Sequence, residues 1–167
     1  MRFWLGLGSN LGDRGAALQA LLDRLAAAGV AVEAVSPVYE TSPQERDDQP
    51  EFLNAAARVR SDLDPVEMLR VAKEIEGELG RRPGPRYGPR PVDCDLLLWE
   101  GGVVAVSGLE VPHPRLGQRR FALVPLLDLD PGLTLPDGRR LADLEAELDP
   151  EDQRVEPTSV ELTRPGI

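Results

Sequence analysis

Asp64-Pro65-Val66-Glu67 is the most firmly punctuated point in the chain, and it dictates a helix. Asp64 can cap the first free N–H groups, Pro65 fits the first helical position, and Glu67 completes a capping box. Met68, Leu69, Ala72, Ile75 and Leu79 then recur at helical spacing, and Gly80 is the natural stop. A Pro/Gly- and Arg-rich stretch from Arg81 to Pro91 follows. Beyond it, Val92 to Trp99 is an apolar run that reads as a buried strand.

The remaining elements are written more lightly. Phe3 to Leu7 reads as a short buried strand, and Gly8-Ser9-Asn10-Leu11-Gly12-Asp13 as a turn cluster. From Gly15 to about Ala28, Leu18, Leu21, Leu22 and Leu25 mark a helix that Gly29 ends. Val30 to Val38 reads as a second strand and Phe52 to Arg60 as a third, with a polar loop from Thr41 to Pro50 between them. After Trp99, Gly101-Gly102 turns the chain into a partner strand, Val103 to Val106. A polar loop from His113 to Arg120, a short helix starting near Pro125 and another from Leu141 to Leu148 complete the reading. The order β-α-β-β-α-β predicts an α/β (α+β) fold. It is a ferredoxin-like split βαβ core whose mainly antiparallel sheet is flanked by helices. No repeat or composition shift divides the chain, so a single domain is expected over 1–148. The acidic C-terminal tail, 149–167, is expected to be loosely held.

Two aspartates open the strand before Trp99. Side chains on a strand alternate, so Asp93 and Asp95 project to one side and Cys94 to the other. Adjacent carboxylates repel, and a cation between them restores their charge. Oxygen ligands suit Mg²⁺, which takes one or two carboxylates and leaves positions for substrate phosphates. Arg81, Arg82, Arg86 and Arg90 lie just upstream, and Arg115, Arg119 and Arg120 form a second cluster. Arginine's planar fork matches phosphate oxygens. The local chemistry is that of a Mg²⁺-nucleotide.

The rest of the composition sharpens this. A net charge of −10 argues against a general nucleic-acid binder, so the arginines form a focused anion site on a repulsive background. No apolar run reaches the length of a membrane helix, the N-terminus lacks a secretory pattern, and Cys94 is the single cysteine. These features favour the cytoplasm and exclude a disulfide framework.

Six blocks carry a resemblance. They are Leu7-Gly8-Ser9-Asn10-Leu11-Gly12, Phe52-Leu53-Asn54-Ala55, Gly80-Arg81, Tyr87-Gly88-Pro89-Arg90, Asp93-Cys94-Asp95 and Val111-Pro112-His113-Pro114-Arg115, with Phe121 and Pro125-Leu126 continuing the series. In this order they resemble the 6-hydroxymethyl-7,8-dihydropterin pyrophosphokinases of folate biosynthesis, from the N-terminus to about Gly138. The resemblance implies transfer of pyrophosphate from ATP to the pterin hydroxymethyl group, release of AMP, two Mg²⁺ ions and a monomer acting on small molecules.

The same resemblance implies roles for residues. Asp93 and Asp95 would hold both metal ions and, with Arg81 and Arg90, form the catalytic set. ATP would be bound by Lys73, Glu76, Arg81, Arg82, Arg90, Leu96, His113 and Arg119, with Glu76 near the ribose. Read without the resemblance, Glu76 is a surface residue off the apolar stripe, and His113 a structural histidine. Phe52 and Phe121 would sandwich the pterin ring, and Asn54 would read its amide edge with both donor and acceptor. Strand alternation puts Phe52 and Asn54 on one face. Backbone groups near Thr41, Ser42 and Pro43 would complete the pterin site. Gly8-Ser9-Asn10 reads as a structural turn that shapes the site, with Asn10 as its anchor. The loops Ser42 to Pro50 and Arg82 to Pro89 are expected to act as lids. Two rivals remain on the residues alone: a non-catalytic ferredoxin-like ligand-binding module, and a Mg²⁺-dependent phosphoryl or nucleotidyl transferase with another acceptor.

Overall fold

The first strand organises the molecule. Alternation along Arg2–Ser9 (β1) sends Phe3, Leu5 and Leu7 to one side, where all three are buried, and Trp4, Gly6 and Gly8 to the other. The computed structural model describes residues 1–42, 50–80 and 92–166. Its elements in order are β1, Arg14–Ala27 (α1), Ala31–Val35 (β2), Tyr39–Thr41 (β3), Phe52–Arg60 (β4), Pro65–Glu78 (α2) and Asp93–Trp99 (β5). Val104–Val106 (β6), Leu109–Val111 (β7), a 3₁₀ turn at Leu116–Gln118, Arg120–Leu129 (α3), Leu141–Ala146 (α4) and Val155–Pro157 (β8) follow.

The main sheet runs β5-β1-β4-β3-β8, with β2 also on β4, and each of its pairings is antiparallel. Taking β2 and β3 as one interrupted strand, this is the expected ferredoxin-like order. Helices α1 and α2 cover the Phe3/Leu5/Leu7 side, burying Leu18, Leu21, Leu22, Leu25, Met68, Ala72 and Ile75. Helices α3 and α4 cover the other side through Leu123, Leu126 and Leu141, which pack with Ala56 and Leu97. Asp64 caps α2 as expected, accepting from Glu67 N–H at 2.9 Å, an interaction typically worth about 1 kcal/mol.

Several expectations change. β1 runs on through Gly8 and Ser9, because β4 and β5 supply ladder partners there. The second strand breaks at Ser36-Pro37-Val38, where Pro37 has no N–H to donate. Ser36 keeps the ladder: its N–H reaches Ala56 O at 2.9 Å, and its hydroxyl accepts from Ala56 N–H at 2.8 Å. β6 pairs with β7 across Gly108 (φ +84) rather than with β5. The segment 113–120 is not all loop, since Leu116 is buried in a 3₁₀ turn and α3 begins at Arg120. Pro125 therefore lies inside α3 instead of starting it; burial of Ala122, Leu123 and Leu126 outweighs the lost hydrogen bond.

The tail is not loose. β8 pairs with β3, Thr158 donates through N–H and hydroxyl to Val38 O, and Val160 and Leu162 pack on the core. Farther along, Gln19 exchanges two hydrogen bonds with the Thr163 backbone, at 2.8 Å each. Acidic composition signalled solvation, but Val155–Pro157 found a sheet edge, and Val160 and Leu162 the apolar core beside it. Among the described residues no helix is long and apolar enough to cross a membrane.

Candidate functional site

β1 lies between β5 and β4, so its residues define rows across three strands. Gly8 pairs with Asp93 on one side and Asn54 on the other; Gly6 pairs with Asp95 and Ala56. Two strand spacings separate Asp93 from Asn54, about 10 Å along the sheet. Alternation places Asp93, Asp95, Phe52 and Asn54 on the α3 side, together with Gly6 and Gly8. The row Asp93–Gly8–Asn54 therefore has a carboxylate at one end, an amide at the other and no side chain between. A Cβ on Gly8 would stand 2.9 Å from Asn54 Nδ2 and 3.7 Å from the Phe52 ring. One on Gly6 would stand 3.1 Å from the Leu97 side chain.

The carboxylate end is electrostatically loaded. Burial pushes the Asp95 carboxyl up to about 6, and neighbouring Asp93 adds to the rise, while Lys73 and Arg119 partly offset it. A cation between the two would relieve both causes. Among the described residues no group of three or more His, Cys, Asp or Glu could hold a metal. A bare carboxylate pair fits Mg²⁺, which completes its shell with water and phosphate oxygens.

Glu76 holds this platform from behind. Its side chain is on the buried face of α2, 1% exposed, and not on the surface as the helical spacing suggested. Oε2 accepts from Cys94 N–H at 2.8 Å, and Lys73 Nζ sits 3.2 Å away. Cys94 lies between the two aspartates on an edge strand, so its N–H would otherwise have no ladder partner. The Cys94 side chain is buried in the α1/α2 core, and burial raises its thiol well above the ordinary range. Leu96 is buried in that same core, away from the aspartates, so only its backbone is open to a ligand.

His113 and Arg119 stand on the α3 side of the platform. His113 Nδ1 accepts from Arg115 N–H at 3.2 Å, which leaves the proton on Nε2. Burial lowers its pKa to about 4, with Arg119 and Arg115 acting in the same direction, so the ring is neutral at pH 7. Arg119 precedes α3 and influences both Asp95 and His113; its guanidinium carbon lies 5.5 Å from the Phe121 ring centroid. Arg120, the next residue, is structural: it donates to Glu145 at 2.9 Å and to Gln153 O at 3.0 Å.

At the amide end, Asn54 is 8% exposed and its orientation is set. Thr41, 2% exposed, donates its hydroxyl to Asn54 Oδ1, while Asn54 Nδ2 donates to Leu7 O at 3.4 Å. An amide has two donors and two acceptor sites, so one of each is left for a heterocycle. Phe52 and Phe121 are both half-buried. Ser42 N–H donates to Arg154 O at 3.3 Å. Asn10 is an anchor as expected, since its Nδ2 donates to Pro50 O at 3.1 Å. Arg81, Arg82, Arg90 and Pro43, and the interiors of both loops expected to be lids, lie outside the described residues.

Comparison with known proteins supplies the rest. A family described as 7,8-dihydro-6-hydroxymethylpterin-pyrophosphokinase matches residues 4–131. A 2-amino-4-hydroxy-6-hydroxymethyldihydropteridine pyrophosphokinase of Methylorubrum extorquens is 42% identical over 150 residues, covering 89% of this chain and 94% of its own. The Bacillus subtilis protein of the same name is 43% identical, covering 75% and 76%. A mitochondrial folate synthesis bifunctional protein of Arabidopsis thaliana is 44% identical over 75% of this chain, which spans only 23% of that longer protein. In fold, a Plasmodium falciparum HPPK-DHPS crystal structure superposes with a TM-score of 0.70 at 15% identity, over 87% of this chain and 45% of its own.

Proposed function

The chain belongs to the 7,8-dihydro-6-hydroxymethylpterin-pyrophosphokinase family, and on that premise we propose that it transfers pyrophosphate from ATP to the hydroxymethyl group of 6-hydroxymethyl-7,8-dihydropterin, with AMP as the leaving group, a step of folate synthesis. The observation that carries the reading is the row Asp93–Gly8–Asn54. It sets a metal-type carboxylate pair and a heterocycle-reading amide on one face, about 10 Å apart. Gly8 between them has no side chain, so the Asn54 amide and the Phe52 ring can lie close over the strand.

Asp93 and Asp95 would hold two Mg²⁺ ions, whose charge offsets that of the triphosphate as the β-phosphorus is attacked. Glu76, by fixing the Cys94 backbone, keeps the two carboxylates in register. Neutral His113 would donate Nε2–H to a phosphate oxygen, and Arg119 would add a guanidinium beside it. Arg81, Arg82 and Arg90 enter the phosphate site on sequence alone, with Lys73 and the Leu96 backbone at its nucleotide edge. On the other side Phe52 and Phe121 would stack on the pterin while Asn54 pairs with its amide edge. Thr41 acts through Asn54, and the Ser42 and Pro43 backbone closes the rim. The reaction is then positioning and charge stabilisation, with no covalent intermediate on the protein. We place this activity in a cytoplasmic monomer built as one domain, acting on small molecules alone.

Incubation with Mg²⁺-ATP and the hydroxymethyl pterin tests the reading. AMP formed in step with pterin pyrophosphate is the expected result. ADP release, or nucleotide turnover indifferent to the pterin, would sink it.

A further inference from the structure

Ser42 and Glu51 stand just outside the ladder pair Thr41–Phe52, the residues on which the proposed pterin site is built. Two arginines from opposite ends of the sequence hold them both. Arg14, the first residue of α1, reaches Glu40 Oε2 on the leading side at 2.9 Å and Glu51 O on the trailing side at 2.9 Å. Arg154, at the start of the C-terminal strand, accepts Ser42 N–H on its carbonyl at 3.3 Å and ion-pairs with the Glu51 side chain. Glu51 is thus gripped on its main chain by one arginine and on its side chain by the other. β8 fixes Arg154 in turn, since Val155 pairs with Thr41 and Glu156 with Glu40.

These contacts have little to do with packing. The four charged side chains are between 30% and 39% exposed, and none belongs to either apolar core. The ladder already pairs Thr41, which orients Asn54, with Phe52; the arginine contacts add to it by fixing Ser42 and Glu51, the next residue out on each strand. They lie at the amide end of the row, two strands away from the carboxylates.

We propose that Arg14 and Arg154 are positioning residues for the pterin, bracketing Ser42 and Glu51 beside the pair Thr41–Phe52, and that the C-terminal strand is therefore a working part of the acceptor site. The inference rests on the function proposed above. Partly exposed ion pairs of this kind contribute up to about 1 kcal/mol each, which corresponds to a factor of about five.

Steady-state kinetics of the full chain tests it, with folding checked by thermal melting. Arg154→Ala and Arg14→Ala are each expected to raise the pterin KM about fivefold, with the ATP KM and kcat essentially unchanged. Arg154→Lys, which keeps the charge opposite Glu51, is expected to restore most of the loss. Glu51→Gln removes the same ion pair from the other partner and is expected to be non-additive with Arg154→Ala. A pterin KM that stays put in folded variants, or one that rises together with the ATP KM, overturns the bracket while wild-type AMP formation leaves the proposed function standing. Wild-type turnover that ignores the pterin overturns the proposed function, and the bracket with it.

Discussion

The two faces of β1 divide the labour of the molecule. Leu5 and Leu7 point into the α1/α2 core and are fully buried. Gly6 and Gly8, interleaved with them, point to the α3 side and leave a floor between Asp95, Asp93 and Asn54. One face holds the sheet together by apolar burial. The other carries no side chain at Gly6 or Gly8, which lets Leu97 close over the first and Asn54 and Phe52 over the second. A single strand thus separates stability from function with a period of two residues, and substitutions on alternate positions are expected to fail in different ways.

The sharpest contrast uses Asp95. Asp95→Ala is expected to cut turnover on the order of a thousandfold while thermal melting does not fall below wild type, because a strand-end carboxylate adds little packing. Leu7→Ala is the mirror case. It is expected to cost about 2–5 kcal/mol in urea unfolding, through lost burial and a cavity, with turnover per folded molecule preserved. Gly8→Ala sits between these. Its new Cβ would crowd Asn54 Nδ2 at 2.9 Å, and a pterin KM raised on the order of tenfold with nearly unchanged stability is expected.

A smaller effect separates the faces by pH. In the folded chain the Asp95 carboxyl is raised to about 6, against about 4 when unfolded. Between these values the folded state binds the extra proton, so this group's contribution to stability falls as pH rises. Asparagine cannot ionise. Asp95→Asn is therefore expected to melt a few degrees above wild type at pH 7 without metal, and to lose that advantage below about pH 4. Calorimetry across this range measures it. An Asp95→Asn protein no more stable than wild type at pH 7 would mean that the carboxylate is not held at a cost to the fold.

Much of this was legible in the residues. The α2 cap, the Leu stripe of α1 and the span Phe52–Arg60 appear where the sequence puts them, because caps, helical periodicity and strand alternation are local signals. The aspartate pair and the Phe52/Asn54 face were legible for the same reason. What escaped depends on partners distant in sequence. Gly8 looked like a turn residue because its strand neighbours, Asn54 and Asp93, lie far along the chain. The alternation Leu5-Gly6-Leu7-Gly8 was the available signal, since small residues at every second position mark a strand with one bare face. Glu76 looked exposed because helical spacing does not reveal a sheet edge with an N–H to satisfy. The tail looked loose because its acidic composition gives no sign of the β3 edge it pairs with, which is far away in sequence.

The central claim is that carboxylate pair and amide form one site across Gly8, and paramagnetic broadening measures that distance directly. With Mn²⁺ and ATP in place of Mg²⁺-ATP, the Asn54 side-chain amide signals should broaden, as expected for a group roughly 10 Å from Asp93 along the sheet. The broadening should vanish in Asp95→Ala. Asn54 signals that stay sharp while Mn²⁺ broadens residues elsewhere on the protein would contradict a shared site.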